Sequence, residues 1–485
     1  MLLEKAMETY DYTQLENPPE MNLTKEQLEK LTDELKDYHE IYSPYFTTEA
    51  RKTNSYNYIH GLLNPEIHRK TSENIALATV GPESVRSMQN FIGQSKWSCE
   101  PILAEHRRQT ATWFGDPNGI LAIDGSDMPK QGYSSIGVQR QYCGQLGKTD
   151  NCQAGVFLGY SSVKGYTLLD RRLYIPKVWF TQDYTEKRYK AGTPVELKFK
   201  TKNQLAWEMI EAAADVLPAR WLAMDEAFGR DTQLLDKIAD KTSYSYFAEV
   251  PKDTNLWLKR PDTYIPEYKG IGRPPTKRRL CPGQPQPLTV ESIVASLSDA
   301  HFTCHSLKDG SKGLIVADIA ILRVVNSRDD LPHSTVWLIV RRHPTNSSDI
   351  RYYLSNAPAD TLTDDLVAVC VARWIIETTF QQAKQHLGMN EYQTRSWDGW
   401  HHHMTLVILA FGFLARFSYF LKDDAPALTL PQTIRLLSFV LPLPVLDIDA
   451  ALEHLRYQQH RILVAKRSHF HMQRTKLESM INAAQ

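Results

Sequence analysis

The chain has 485 residues, of which 42% are hydrophobic and 23% charged, with 56 basic and 56 acidic residues. At about 150 residues per domain, this length predicts roughly three domains with at least one sizeable core, and the composition excludes a wholly disordered chain. The six cysteines are scattered without a C-x-x-C pair, which argues against a disulfide scaffold, a redox motif or a cysteine zinc site and fits a reducing cytosol.

The charge is unevenly distributed, although the formal net charge is zero. Residues 1–50 carry 12 acids and 4 bases, whereas residues 251–280 carry 8 bases and 3 acids, and residues 451–485 carry 6 bases and 2 acids. Basic clusters with interleaved aromatic side chains suit a phosphate backbone. An ordinary solvated face explains the same charges equally well.

Membrane and secreted classes are not expected. The N-terminus has no basic stretch followed by an apolar run, so no signal peptide is predicted. The longest apolar run, residues 404–415, is too short to cross a bilayer and indicates a buried core helix.

Residues 22–115 are predicted to be helical. A capping box at Thr24 and Gln27 opens a helix that runs to about His39, and further helices are expected near residues 74–92 and 100–114. We therefore predict an acidic arm and a helical N-terminal domain over residues 1–115. Such a domain is either a DNA-binding module or a packing module.

Short apolar runs replace this pattern from residue 116 to residue 250. A helix is expected at 202–216, and strands are expected at 119–124, 154–162, 166–175, 220–225 and 244–250. This alternation predicts a mixed α/β sheet, the first part of a core.

Residues 251–358 interrupt that core. They start with a Pro/Gly-rich basic stretch and continue with strand-like runs at 313–326, 335–341 and 350–354, which predicts an inserted, mostly-β domain. Helices over 361–387 and 402–420 then complete the core within residues 359–420. Residues 421–485 are predicted to form a helical, basic C-terminal segment.

Acidic residues close two of the predicted strands and lie on one predicted helix. Asp124 and Asp225 each end an apolar strand, where an acid points into the crevice in which α/β sheets bind ligands. On the helix, one stripe within roughly 60° presents four polar side chains: Cys370, Arg373, Glu377 and Lys384. A solvated surface pair is the plain alternative for Arg373 and Glu377.

The spacing Arg373-x3-Glu377-x6-Lys384 resembles the Tyr-x2-Arg-x3-Glu-x6-Lys signature of DDE transposases from bacterial insertion sequences, in the insertion sequence 4 superfamily. Residues 123–153, 223–231 and 355–415 resemble more narrowly the insertion sequence 701 family. Two departures stand out. Cys370 occupies the Tyr slot of the signature, and Gly125 and Ser126 follow the first acid where the family often has Asp and Thr. The second departure favours Asp124 over Asp127 as the ligand.

The resemblance implies a ribonuclease-H-like core with Asp124, Asp225 and Glu377 as catalytic and metal-binding residues. Carboxylates suit Mg²⁺, with Mn²⁺ as a substitute, and three of them can hold two ions that activate the attacking oxygen and stabilise the leaving oxygen. Arg373 and Lys384 would then contact phosphates beside the scissile bond.

Further DNA contacts are expected from the inserted segment. By resemblance, Trp257 is a candidate for stacking on a flipped base, with a core tryptophan as the alternative. The stretch 270–279 has the Gly-Arg-Pro core of minor-groove hooks, with a basic flexible loop as the alternative. Its candidate DNA contacts are Arg273, Lys277, Arg278 and Arg279. His401, His402 and His403 point about 100° apart on a helix and cannot share one ion, which indicates structural or DNA-facing roles.

The sequence as a whole predicts a Mg²⁺-dependent cut-and-paste DNA transposase. It would bind terminal inverted repeats, cleave element ends and join the 3′-OH ends to target DNA. Its expected partners are double-stranded DNA and, at least in the synaptic complex, a second copy of itself, in the bacterial cytoplasm at the nucleoid. The alternatives are a transposase-derived sequence-specific DNA-binding protein without catalysis and a nuclease that cuts without joining strands.

Overall fold

The computed structural model describes residues 21–483 except 32, 269–272, 311–312 and 427, and it leaves out the side chains of a few more, among them 371–374. The first part of the described chain is helical, as predicted. Its helices are α1 (Lys25–Lys30), α2 (Glu34–Tyr42), α3 (Glu49–Leu63), α4 (Ser72–Thr79), α5 (Val85–Gly93) and α6 (Cys99–Phe114).

The capping box at Thr24 is confirmed, because its side chain accepts from the Gln27 backbone while the Gln27 side chain accepts from the Thr24 backbone. The helix expected to reach His39 is instead two helices, since α1 ends at Lys30 and α2 begins at Glu34. Helix α3 was not predicted from the sequence. Its apolar residues do not collect on one face, and its buried face includes Asn54, Ser55 and Gly61.

The mixed sheet predicted for the middle of the chain is present. Its elements are β1 (Ile120–Pro129), β2 (Gln139–Cys143), β3 (Lys148–Ser162), β4 (Gly165–Tyr174), α7 (Thr185–Lys190), α8 (Lys202–Ala214), β5 (Trp221–Met224), α9 (Glu226–Gly229), α10 (Thr232–Lys241) and β6 (Ser245–Glu249). Strand β1 is antiparallel to β3 and parallel to β5, β3 is also antiparallel to β4, and β5 is parallel to β6.

The segment predicted as an insertion is rich in strands. It contains β7 (Asn255–Trp257), β8 (Thr263–Tyr264), β9 (Arg279–Leu280), β10 (Leu288–Thr289), α11 (Val290–Ala295), β11 (Thr303–Gly310), β12 (Gly313–Arg328), β13 (Leu331–His343) and β14 (Asn346–Ser355). Strand β14 pairs antiparallel with β6, with Leu354 opposite Ala248. In the described chain, the meander β12-β13-β14 therefore extends the sheet of the core instead of forming a separate sheet.

The last part of the chain is helical again, with α12 (Thr363–His386), α13 (Trp397–Phe420), α14 (Leu430–Val440) and α15 (Ile448–Ala483). Helix α13 has the length and apolarity of a membrane span, but 78% of its most apolar window is buried inside the protein. It packs against β4 and helices α3, α5, α6 and α14. The buried helix predicted around residues 404–415 is therefore a core helix, and it begins at Trp397.

Alternation along the strands gives the sheet two apolar faces. Ala122, Phe157 and Ala223 belong to one core cluster, which includes the buried residues of α12 and α13. Leu121, Val156 and Leu222 belong to the other, with α8 and α10. We call the first of these the α12 face, because α12 packs across β1 and β5 there.

Candidate active site

Two predicted catalytic acids lie at equivalent places on neighbouring parallel strands. Ile123 of β1 is in register with Met224 of β5, so Asp124 and Asp225 occupy the next position on each chain. Adjacent strands are about 4.8 Å apart, and side chains alternate between faces. Since Ala122 and Ala223 belong to the α12 face, both acids are directed to that face by alternation. Both are partly exposed.

Backbone hydrogen bonds orient both carboxylates. Asp124 accepts from the N–H of Gly125 at 2.6 Å. Asp225 has extended backbone angles and caps α9, where its side chain accepts from the N–H of Phe228 at 3.2 Å. An Asp at this position ends the strand and starts the helix, because its oxygen satisfies an otherwise unpaired helical N–H.

Helix α12, which packs across β1 and β5, carries the third predicted acid, Glu377. Ile376 and Phe380 are buried, and the ring of Phe380 lies 5.3 Å, centroid to centroid, from that of Phe157. Phe157 is the β3 partner of Asp124. The buried side of α12 is thus fixed against the strand next to Asp124, and Glu377, which follows Ile376, lies on the exposed flank of the helix.

Lys384 lies on the same stripe of α12 as Glu377. It follows Glu377 by seven residues and is partly buried. Burial lowers the pKa of Lys384, whereas the charges of Asp127, Cys143 and Asp124 act to raise it. The ammonium is therefore within electrostatic range of Asp124, which lies inside β1.

The donor set fits a hard divalent cation, because all three acids are carboxylates and oxygen ligands are what Mg²⁺ and Mn²⁺ prefer. Among the described residues, no three His, Cys, Asp or Glu side chains are already close enough together to hold an ion. Asp124 and Asp225 share one face of the sheet where the pairing of β1 with β5 ends, and Glu377 lies on the helix that covers this face.

Arg373 and Cys370 are the other two positions of the predicted signature. The side chain of Arg373 lies outside the described residues, although its backbone belongs to α12. Cys370, in the Tyr slot, is 4% exposed, and its thiol donates to the carbonyl of Leu366 at 3.6 Å. Burial raises the pKa of the Cys370 thiol to about 12, so this position packs in the core as a neutral group.

Trp257 is a core residue in this structure. It is 2% exposed, lies opposite Val325 in the β7–β12 pairing, and its indole N–H donates to the carbonyl of Pro285 at 3.1 Å. A ring that stacks on a base must be open on one face. The burial favours the core alternative over the predicted base-stacking role.

The basic loop of the inserted segment is on the surface. Arg273, Lys277, Arg278 and Arg279 are all exposed. Arg278 donates to the hydroxyl of Thr263 at 3.1 Å, and Arg279 belongs to β9, which pairs with β8. Residues 270–272, the start of the Gly-Arg-Pro stretch, lie outside the described residues. These four cations are accessible to a large polyanion.

The basic C-terminal segment forms most of α15. Near its start, the Tyr457 hydroxyl and the Arg461 guanidinium both bind the carboxylate of Glu73, at 2.9 and 3.0 Å. From Gln458 to Glu478, every residue is exposed. The helix therefore presents its remaining basic side chains to solvent.

The three consecutive histidines have structural roles. His401 binds the carbonyl of Trp397 at 2.9 Å. His402 binds the carbonyls of Ile92 and Trp97, at 2.9 and 3.1 Å. His403 binds the Tyr58 hydroxyl at 2.9 Å and the Gly388 carbonyl at 3.2 Å. These contacts tie α13 to the helical N-terminal part.

One polar feature at the far end of β1 was missed by the sequence analysis. Lys130 follows the last residue of β1 and lines a cavity of about 1040 Å³. It belongs to the stretch 123–153 that carries the family resemblance, but a sequence pattern does not reveal which lysine is buried beside an open cavity.

Comparison with known proteins indicates the family of this chain. The family model described as "DDE superfamily endonuclease" matches residues 42–314. The chain is also similar to a protein of Microchaete diplosiphon described as "Probable transposase for insertion sequence element IS701". The two are 21% identical over 310 residues, which is 64% of this chain and 72% of that protein.

Proposed function

The chain belongs to the DDE superfamily of endonucleases, with the likeness of an insertion-sequence transposase, and we propose that it acts as a cut-and-paste DNA transposase. In this proposal it binds terminal inverted repeats, cleaves the element ends and joins the 3′-OH ends to target DNA. The observation that supports it most is the placement of Asp124 and Asp225 on adjacent parallel strands, on the face that α12 covers with Glu377 on its flank.

The acids account for the chemistry. Asp124, Asp225 and Glu377 would hold Mg²⁺, and two such ions supply activation of the attacking oxygen and stabilisation of the leaving oxygen. Asp225 is oriented by the start of α9, and Asp124 by the Gly125 N–H. The packing of Phe380 on Phe157 holds α12 against the strand next to Asp124.

Lys384 would position the substrate strand. A partly buried ammonium beside Asp124 can bind a phosphate as a point charge and keep the scissile bond close to the acids. Arg373, one turn before Glu377, is proposed as a second phosphate ligand that binds as a fork. The exposed cations at 273–279 and on α15 are proposed to hold more distant duplex.

The strand pattern supports a ribonuclease-H-like core. The antiparallel run β1-β3-β4 is followed along the chain by β5 and β6, which are parallel to β1. We propose that residues 116–250 and 359–420 form this core, that residues 251–358 are its insertion, and that the protein is a homodimer when it holds two element ends.

The test is cleavage and joining of the DNA that flanks this gene. A purified protein is incubated with a supercoiled plasmid that carries the gene and its flanking DNA, with Mg²⁺ or with EDTA. We expect excision at inverted repeats and joining of 3′ ends to a second plasmid, both only with Mg²⁺. Cleavage without joining would indicate a nuclease, and retarded DNA without cleavage would indicate a DNA-binding protein.

A further inference from the structure

An open cavity lies where β1 ends. It is lined by this end of the strand, by the loop between α12 and α13 and by the loop between α3 and α4. Three of the lining residues are cations and one is a carboxylate, namely Arg69, Lys130, Arg395 and Glu391. Arg69 and Arg395 are exposed at the rim, and the walls carry neutral polar groups. The excess of positive charge in the lining suits the binding of an anion.

Lys130 is the buried cation of this cavity. Its ammonium lies 3.4 Å from the centre of the Tyr392 ring and donates to the Tyr392 carbonyl at 3.3 Å. Among the described residues, no carboxylate forms an ion pair with it. Glu391, the acid of the cavity, instead accepts from the backbone N–H of Lys70 at 2.5 Å. Burial lowers the pKa of Lys130 to about 7.

A second buried lysine nearby shows what a structural lysine looks like in this protein. The ammonium of Lys70 donates to the carbonyls of Leu62 and Asn64, both at 2.6 Å, and to Gly61 at 3.3 Å. These carbonyls end helix α3, so Lys70 satisfies groups that the helix leaves unpaired. Lys130 has one long hydrogen bond in place of these three.

The position of Lys130 relates the cavity to the catalytic acids. Lys130 follows Asp124 by six residues of extended chain, which is about 20 Å at ~3.3 Å per residue. The charges of Asp124 and of Asp127, three residues further on, both act on Lys384. A duplex lying along β1 would therefore place a backbone phosphate over the cavity about six base pairs from the bond at the acids, at ~3.4 Å of axial rise per base pair. Because six base pairs are more than half of a turn of about 10 base pairs, either strand can supply that phosphate.

We propose that this cavity is a binding site for a backbone phosphate of the substrate DNA, with Lys130 as its buried ligand and Arg69 and Arg395 at its rim. The inference rests on the proposed function, because it places the same DNA duplex in both sites. Lys130 is a binding residue and touches no reacting atom. A buried ammonium without a carboxylate partner disfavours the folded state, and a phosphate supplies the missing charge.

A scan with single neutral methylphosphonate linkages tests the position of the phosphate. Each linkage replaces one charged phosphate of an element-end duplex, and the affinity is measured for the wild type and for Lys130→Met. The wild type should lose affinity about tenfold at one or two linkages, on either strand, about six base pairs from the cut. Lys130→Met should bind the unmodified duplex about as weakly and should show no further loss at those linkages.

The melting temperatures of Lys70→Met and Lys130→Met separate a structural role from a binding role, and two further variants serve as controls. Lys70→Met should lower the melting temperature by several degrees, because it leaves three carbonyls without their donor. Lys130→Met should melt at or above the wild-type temperature, while Lys130→Arg should recover most of the affinity. Lys148→Met, which removes an exposed lysine paired with Asp150 on β3, controls for general loss of charge.

The outcomes distinguish this inference from the proposed function. If the wild type neither binds nor cleaves element ends, the proposed function fails. If the wild type does both, but Lys130→Met keeps the same methylphosphonate profile or melts as early as Lys70→Met, the phosphate site is rejected and the transposase remains.

Discussion

Two regions of this protein are rich in titratable side chains and differ in their surroundings. The strand-end region consists of Asp124, Asp225, Glu377 and Lys384, and the histidine region consists of His401, His402 and His403. In the strand-end region the acids are partly or fully exposed, Asp124 and Asp225 where the pairing of β1 with β5 ends. In the histidine region, His402 and His403 are 2% and 0% exposed and bind backbone carbonyls of other elements.

A cluster of ionisable residues is therefore not by itself a functional site. The histidine side chains form hydrogen bonds within the fold, because each buried ring nitrogen needs a partner and most of the partners at hand are backbone carbonyls. The strand-end acids are held by short-range contacts to their own backbone and still face solvent. Accessibility at a point where several elements converge distinguishes the two regions.

The largest expected effect is at the acids. Asp124→Asn, Asp225→Asn and Glu377→Gln should each abolish Mg²⁺-dependent cleavage of element ends and leave DNA binding nearly intact, because each keeps the shape and removes a ligand charge. Gel assays of cleavage and of binding measure both. Asp127→Asn is the matched control and should retain cleavage. If Asp127→Asn is inactive and Asp124→Asn is active, the assignment of the first acid is reversed.

The histidine region should respond in stability and not in chemistry. His403→Phe leaves the Tyr58 hydroxyl without this partner, at about 1–3 kcal/mol for an unsatisfied group, while the Gly388 carbonyl loses His403 and keeps the N–H of Glu391 at 2.9 Å. Its melting temperature should fall at pH 7.5, while cleavage per folded molecule stays near that of the wild type. A stable His403→Phe protein that no longer cleaves would move this histidine into the functional site.

The pH dependence of the stability should show the same difference between the two regions. Burial lowers the pKa of His403 to about 3 and the pKa of His106 to about 4. Between these values and about 6.5, the unfolded chain binds more protons than the folded one, so this stability is present above pH 6.5 and is lost as the pH falls. Thermal unfolding from pH 7.5 to pH 4.5 should show a steep loss in the wild type. The loss should be shallower in His403→Phe, by up to about 1.4 kcal/mol per pH unit; equal slopes would contradict a neutral buried histidine.

A smaller effect is expected at Lys384. Lys384→Ala should weaken binding to element ends about tenfold, as for one charged contact, and lower the slope of log affinity against log salt by ~0.9. A salt titration of both proteins measures this, with Lys148→Ala as an exposed lysine of the same sheet for comparison. An unchanged slope would place Lys384 away from the DNA backbone.

The smallest effect is expected at the exposed loop, which tests whether exposure alone makes a site. Replacing Arg273, Lys277, Arg278 and Arg279 with Ala should reduce binding several-fold and leave the melting temperature unchanged, because these side chains lie on the surface. Trp257→Ala, in the same segment, should instead lower the melting temperature strongly, because it empties a buried position. A quadruple variant that binds as well as the wild type would make the loop an ordinary solvated surface.

The sequence alone predicted much of the order of elements and singled out the three acids, whose catalytic role stays a prediction. Strands such as β5 and β6 are short apolar runs whose pattern depends only on neighbouring residues, and their predicted limits are within one or two residues of the observed ones. The acids were found because Asp124 and Asp225 follow such strands and because Glu377 belongs to a spaced signature. Helix α3 was missed since its buried side carries small and polar residues that only their tertiary partners explain.

Tertiary structure decided the rest, because it depends on contacts between residues far apart in the chain. The pairing of β14 with β6 joins the inserted segment to the core sheet, and the alternation pattern of either strand does not name its partner. Trp257 is buried because β12 and Pro285 cover it, and Cys370 is buried because α12 turns it inward. Lys130 and Lys70 look alike in the sequence, and only the carbonyls around Lys70 and the cavity beside Lys130 separate the structural lysine from the proposed phosphate ligand.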